Sequence, residues 1–100
     1  MITLNDIDNI ENEDASEEDY YYSLQKAINS GSAWSFQGSY GRAMMDAIKA
    51  GYCMLARDQA RDYYGNTIPS RDDVKPGTPG SYEYVIKCAG LGHAENMLEA

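Results

Sequence analysis

A chain of 100 residues with 43 % hydrophobic side chains and a formal net charge of −8 has room for one core, which excludes a two-domain protein and a chain too polar to fold. The excess charge lies at one end: residues 1–20 hold eight acidic and no basic side chains, whereas residues 21–100 hold eight of each. This distribution disfavours direct contact with nucleic acid or with an anionic membrane, since both repel it.

In chain order, residues 1–15 form an acidic N-terminal arm in which Leu4, Ile7 and Ile10 are the only sizeable apolar side chains after Met1. The pattern predicts a solvated segment preceding a single small globular domain over 16–100. A helix is expected over about 16–30. Ser16 followed by Asp19 reads as a capping box, three carboxylates suit the positive end of the helix dipole, and Tyr20, Leu24, Ala27 and Ile28 share a face. Gly31 is placed to end it. Residues 31–39 read as a small-residue linker presenting Trp34 and Phe36, with core closure the expected role of the lone Trp.

A second helix is expected from Ser39, with Met44, Ile48, Tyr52 and Leu55 forming the central stripe of the core. Gly51 lies beside that stripe, which suggests a close helix crossing. Prolonging the helix past Leu55 would turn Asp58 and Asp62 inward, so it should stop or bend near Ala56. The following segment, ARDQARDYY, allows further helix on another face, up to a turn at Gly65 and Asn66. Residues 67–80 carry three Pro and two Gly and read as a turn-rich, ordered loop without regular structure. Residues 81–89 leave two options, a helix capped by Ser81 or a short strand near the C-terminus in which Tyr82, Tyr84 and Ile86 alternate. The tail HAENMLEA suggests a last helical turn. The class expected is mainly α.

Candidate chemistry is sparse. With Asp6 at position 1 of a calcium loop, Asp8 and Glu17 fall at positions 3 and 12, but position 6 is Glu11 where the turn needs Gly, so no metal site is expected. His93 is the single histidine, and Cys53 and Cys88 belong to no CxxC pair. An enzyme built on either thiol with His93 lacks an orienting third group, and two small core thiols with a surface histidine is the simpler account. Arg57/Asp58 and Arg61/Asp62 read as a solvated, self-neutralising face. No phosphate-binding or dinucleotide motif is present, so neither a catalytic residue nor a cofactor is expected. The opening MITLNDIDN has no basic or strongly apolar stretch of an export signal, and no apolar run approaches a membrane span, so a cytoplasmic protein with reduced thiols is expected.

What remains is the acidic run leading into a tyrosine-bearing helix: Glu11, Glu13, Asp14, Glu17, Glu18, Asp19, Tyr20, Tyr21 and Tyr22. Carboxylates strung along an arm and a helix start imitate the phosphates that a Lys/Arg-rich groove is built to hold, and adjoining tyrosines add apolar contact. In size, in the run DIDNIENEDASEED and in Tyr-rich composition the chain resembles small acidic phage-encoded proteins of the anti-CRISPR and DNA-mimic inhibitor kind. That resemblance implies a non-enzymatic inhibitor of a nucleic-acid-binding complex in the host cytoplasm. It departs from the strongest mimics because residues 21–100 are neutral, which confines any mimicry to one end. The competing expectation is a small helical structural or oligomerising module, such as a phage assembly component or a homodimer, contacting through Tyr and Met around the second helix, with the arm only solubilising.

Overall fold

The computed structural model describes residues 16–31, 34, 39–62 and 64–100. They form helices α1 (Glu17–Ser30), α2 (Ser39–Ala50), α3 (Tyr82–Ala89) and α4 (Leu91–Glu99), with a two-stranded antiparallel ribbon of β1 (Ala60–Arg61) and β2 (Thr67–Ile68) between α2 and α3. The mainly α class expected from the sequence is what is found.

α1 starts where its cap dictates. The Ser16 Oγ accepts the Asp19 N–H at 3.1 Å, and Glu17, Glu18 and Asp19 occupy the first turn; a cap of this kind is worth about 1 kcal/mol. Gly31, at φ 74°, closes the helix with its N–H on the Ile28 carbonyl. The inner face buries Leu24, Ala27 and Ile28 completely, together with Gln25, whose role is described below.

α2 buries Met44, Ala47 and Ile48 but ends earlier than its apolar stripe suggests. Gly51 adopts φ 84°, and the N–H groups of Gly51 and Tyr52 turn back onto the Ile48 and Ala47 carbonyls, a left-handed termination that favours glycine. Gly51 therefore stops the helix where the stripe placed it inside one. The close packing expected of it is real, though. A Cβ at Gly51 would collide with Cβ of Cys88 on α3 and come within 2.6 Å of its Sγ. The stripe itself divides at this point: Tyr52 is 38 % exposed, while Leu55 is buried from non-helical backbone.

Residues 53–56 run through the core without a sheet to pair with, all four buried. Most of their backbone groups find partners one by one, as burial requires. The Gln25 side-chain amide accepts the Met54 N–H and donates to the Met54 carbonyl, both at 2.8 Å. The Leu55 N–H donates to the Gly80 carbonyl at 2.9 Å, the Arg71 side chain donates from Nε to the Leu55 carbonyl at 2.7 Å, and the Arg71 N–H donates to the Ala56 carbonyl. Asn29 extends the network, accepting from Gln25 and donating to the Ala100 carbonyl.

Beyond this segment the chain departs from two expectations. Residues 57–62 and 64 carry no further helix: Ala60 and Arg61 pair with Ile68 and Thr67, and the connection is held by Asp62, whose Oδ1 accepts the N–H groups of Tyr64 and Asn66 at 2.9 Å each. An aspartate that would have been costly on a buried helix face is instead the acceptor that shapes a turn. β2 also lies inside the stretch read as lacking regular structure; Thr67 and Ile68 precede the first proline and keep their pairing, and the rest of 67–80 is a chain of turns.

The strand option for residues 81–89 is overturned, because Ser81 acts as a cap. Its Oγ accepts the N–H groups of Tyr84 (3.1 Å) and Gly77 (3.0 Å) and donates to the Thr78 carbonyl. Gly90, at φ 93°, ends α3 and starts α4, so the tail holds a full helix. One hydrophobic cluster joins all four helices, Trp34 and residues 53–56; Trp34, 4 % exposed, closes the core as expected, and Phe36 lies outside the described residues.

Gly80 sits at φ 102°, and an added Cβ would stand 2.6 and 2.9 Å from Cδ1 and Cγ of Leu55. Gly80→Ala is expected to destabilise the fold by about 1–3 kcal/mol through strain and overpacking combined. A urea midpoint that hardly moves would show that the turn relaxes freely.

Candidate functional site

The geometry of α1 places the acidic first turn over an aromatic group. Tyr21 lies four residues after Glu17 and three after Glu18, so all three share a helix face. Its ring stacks on Tyr52 with centroids 4.5 Å apart and planes 13° from parallel. Tyr52 owes this position to the left-handed turn at Gly51, which swings it off the end of α2 towards α1.

His93, from the first turn of α4, completes the group. Its ring stands edge-on to both tyrosines, 6.2 Å from Tyr21 and 5.9 Å from Tyr52, and its Nε2 lies 2.7 Å from the Tyr52 carbonyl oxygen. A carbonyl only accepts, so this contact assigns a proton to Nε2. Glu17, Glu18, Tyr21, Tyr52, Gly92, His93 and Asn96 line an open hollow of about 360 Å³. Burial, then the neighbouring Tyr52 and Glu17, push the Tyr21 hydroxyl pKa up. The two glutamates are exposed.

The three consecutive tyrosines do different things. Tyr20 meets Tyr21 edge-on at 5.1 Å, and both border a second hollow, about 360 Å³, against Arg42, Ala43, Asp46, Ala47 and Ala50 of α2. Tyr22 points away, with Lys26 Nζ 5.9 Å from its ring centre and its hydroxyl donating to the Glu99 carbonyl at 3.5 Å. All three are half-buried against the core.

Of the nine residues expected at a partner surface, Glu17, Glu18 and Tyr21 come together in the hollow. Asp19 is exposed on the same turn, whereas Tyr22 belongs to the contact between α1 and α4. Glu11, Glu13 and Asp14 lie outside the described residues, as do Asp6 and Asp8 of the calcium-loop test. Tyr52, His93 and Asn96 were not among the residues expected at this surface. Tyr52 was hidden in the α2 stripe, and nothing local signals that a histidine 41 positions later meets its carbonyl.

The thiols are unlike each other. Cys53 is fully buried, its Sγ 3.5 Å from the Tyr21 carbonyl, and desolvation pushes its pKa up to about 12. A thiol held protonated is a poor nucleophile. Cys88 is free and exposed on α3, which corrects the reading of it as a core residue. Arg57 and Asp58 are exposed, but Arg61 donates to the Gly65 carbonyl and Asp62 holds the turn, so those two are spent on the ribbon. Among the described residues no group of three or more His, Cys, Asp or Glu is placed to hold a metal ion, and no helix is long and apolar enough to cross a membrane.

Comparison with known proteins finds no matching family model, no similar curated protein and no similar solved structure.

Proposed function

We propose that this protein is a non-enzymatic interaction module whose acidic end occupies a Lys/Arg-rich groove on a protein partner. The observation that carries the reading is the convergence of Glu17 and Glu18 with the Tyr21–Tyr52 stack around one open hollow. Carboxylates attract and steer a basic surface, and tyrosines supply apolar area at low entropic cost. Along the sequence Glu11, Glu13 and Asp14 extend the same charge towards the N-terminus, and Asp19 adds to it on the turn that carries the two glutamates. The resemblance to acidic phage-encoded inhibitors makes that partner a nucleic-acid-binding complex, such as a CRISPR effector, in the host cytoplasm.

The test is affinity capture from host lysate, eluted by stepped salt, with the intact chain and with a Glu17→Gln, Glu18→Gln, Asp19→Asn variant whose helix content is verified by circular dichroism. We expect elution of the intact chain's partner to advance steeply with salt. The variant should bind on the order of 10-fold more weakly, three rim charges being worth roughly 0.5 kcal/mol each. Binding that ignores both salt and the three substitutions would refute the electrostatic mechanism.

The second reading, a structural or oligomerising module, draws on Met45 of α2 and Leu91 of α4, which are 39 % and 53 % exposed. It requires self-association that survives deletion of residues 1–15, measurable as solution mass.

A further inference from the structure

We propose that the hollow between α1, Tyr52 and α4 is the seat for one arginine side chain of the partner, an inference that deepens the interaction reading above and rests on it. Three features select a guanidinium. First, the charge at the hollow is negative: Glu17 and Glu18 both line it, and the N-termini of α1 and α4 that border it carry together only about one positive charge against their two negative ones. Second, the walls are flat and aromatic. Tyr21 covers one face of Tyr52, yet Tyr52 stays 38 % exposed and lines the hollow, and a planar, weakly hydrated guanidinium stacks on a tyrosine ring better than an ammonium. Third, the acceptors suit a fork of N–H donors: two carboxylates in one helical turn, with Asn96 also lining the hollow.

The walls are also pre-formed. Tyr52 is held from behind by its N–H on the Ala47 carbonyl and by His93 Nε2 on its own carbonyl, and Tyr21 sits in the second turn of a capped helix. A cation entering the hollow has little ordering left to impose, which favours binding by cutting its entropic cost.

The full chain, labelled for two-dimensional NMR at low ionic strength, would be titrated separately with N-acetyl-arginine amide, N-acetyl-lysine amide and the neutral isostere N-acetyl-citrulline amide. Saturating shifts centred on Tyr21, Tyr52, His93 and Asn96 are expected for arginine, with Kd on the order of millimolar for so small a ligand. Lysine should bind at least roughly threefold more weakly because it lacks the stacking plane and the fork, and citrulline should not saturate. The Glu17→Gln, Glu18→Gln variant should raise the arginine Kd several-fold, and Tyr52→Leu, a change at the rim, should erase the preference for arginine over lysine. Shifts that never saturate, shifts spread over the whole acidic surface, equal affinity for lysine, or indifference to either variant would each overturn the proposal. The two readings fail separately. Salt-sensitive capture that persists undiminished in Tyr52→Leu would sink the arginine seat and keep the basic-partner reading, whereas saturating arginine binding without any salt-sensitive partner would do the reverse.

Discussion

Replacement of Gln25 by Leu is expected to destabilise the protein by about 2–5 kcal/mol, the largest effect of any single polar substitution considered, although the two side chains are of similar size. Gln25 is fully buried and spans Met54, accepting its N–H and donating to its carbonyl, both at 2.8 Å. Leucine would fill the space and leave both backbone groups unpaired in the core, each at a cost of about 1–3 kcal/mol. Asn29 would lose one donor but keep its bond to the Ala100 carbonyl and its contact with Arg71. Small domains hold only about 5–15 kcal/mol in total, so the variant should unfold at much lower urea with its m-value little changed. A loss under about 1 kcal/mol would mean that residues 53–56 find other partners and that the bridge is not what holds them.

The second large effect concerns pH. Cys53 is buried, and desolvation lifts its pKa from 9.0 to about 12. A group whose folded pKa is raised contributes stability that is complete below its unfolded pKa and is lost as pH climbs towards the folded one, because the unfolded chain releases the proton first. The loss should therefore run from about pH 9 to pH 12, at ~1.4 kcal/mol per pH unit. Tyr21, also raised, acts in the same direction. In Cys53→Ala the alkaline slope should flatten markedly, even if the variant starts from lower stability. Urea unfolding at pH 8 and at pH 10 measures this, and an unchanged slope in the variant would assign the alkaline loss to the tyrosines instead.

These two expectations turn on contacts between residues far apart in the chain, and there the sequence and the structure part company. The helix starts were legible because each is a local event. Ser16 and Ser81 accept N–H groups three residues on, a geometry that the spacing alone implies, and Gly31 closes α1 by a bond to the third residue back. The acidic first turn of α1 was legible for the same reason. Residues 53–56 were not, because an apolar run reads equally as helix or as buried strand until its hydrogen-bond partners are known. Those partners are Gln25, Arg71 and Gly80, between 15 and 29 positions away. Gly51 shows the same divide within one residue: its cost inside a helix was apparent, but only the packing of Cys88 and the swing of Tyr52 decided that it ends α2.

By itself, then, the sequence determined the mainly α class, the capped boundaries of α1, the start of α2 and the concentration of negative charge at one end, since each depends on spacings of a few residues or on composition. The tertiary structure decided which carboxylates share a surface with which rings. Glu17, Glu18 and Tyr21 meet Tyr52 and His93 only because the Gly51 turn and the Gly90 corner bring the end of α2 and the start of α4 beside the first turns of α1. The energy that closes such long loops comes from burying Leu24, Met54, Val85 and Met97 together, and no local pattern encodes which of those side chains will meet.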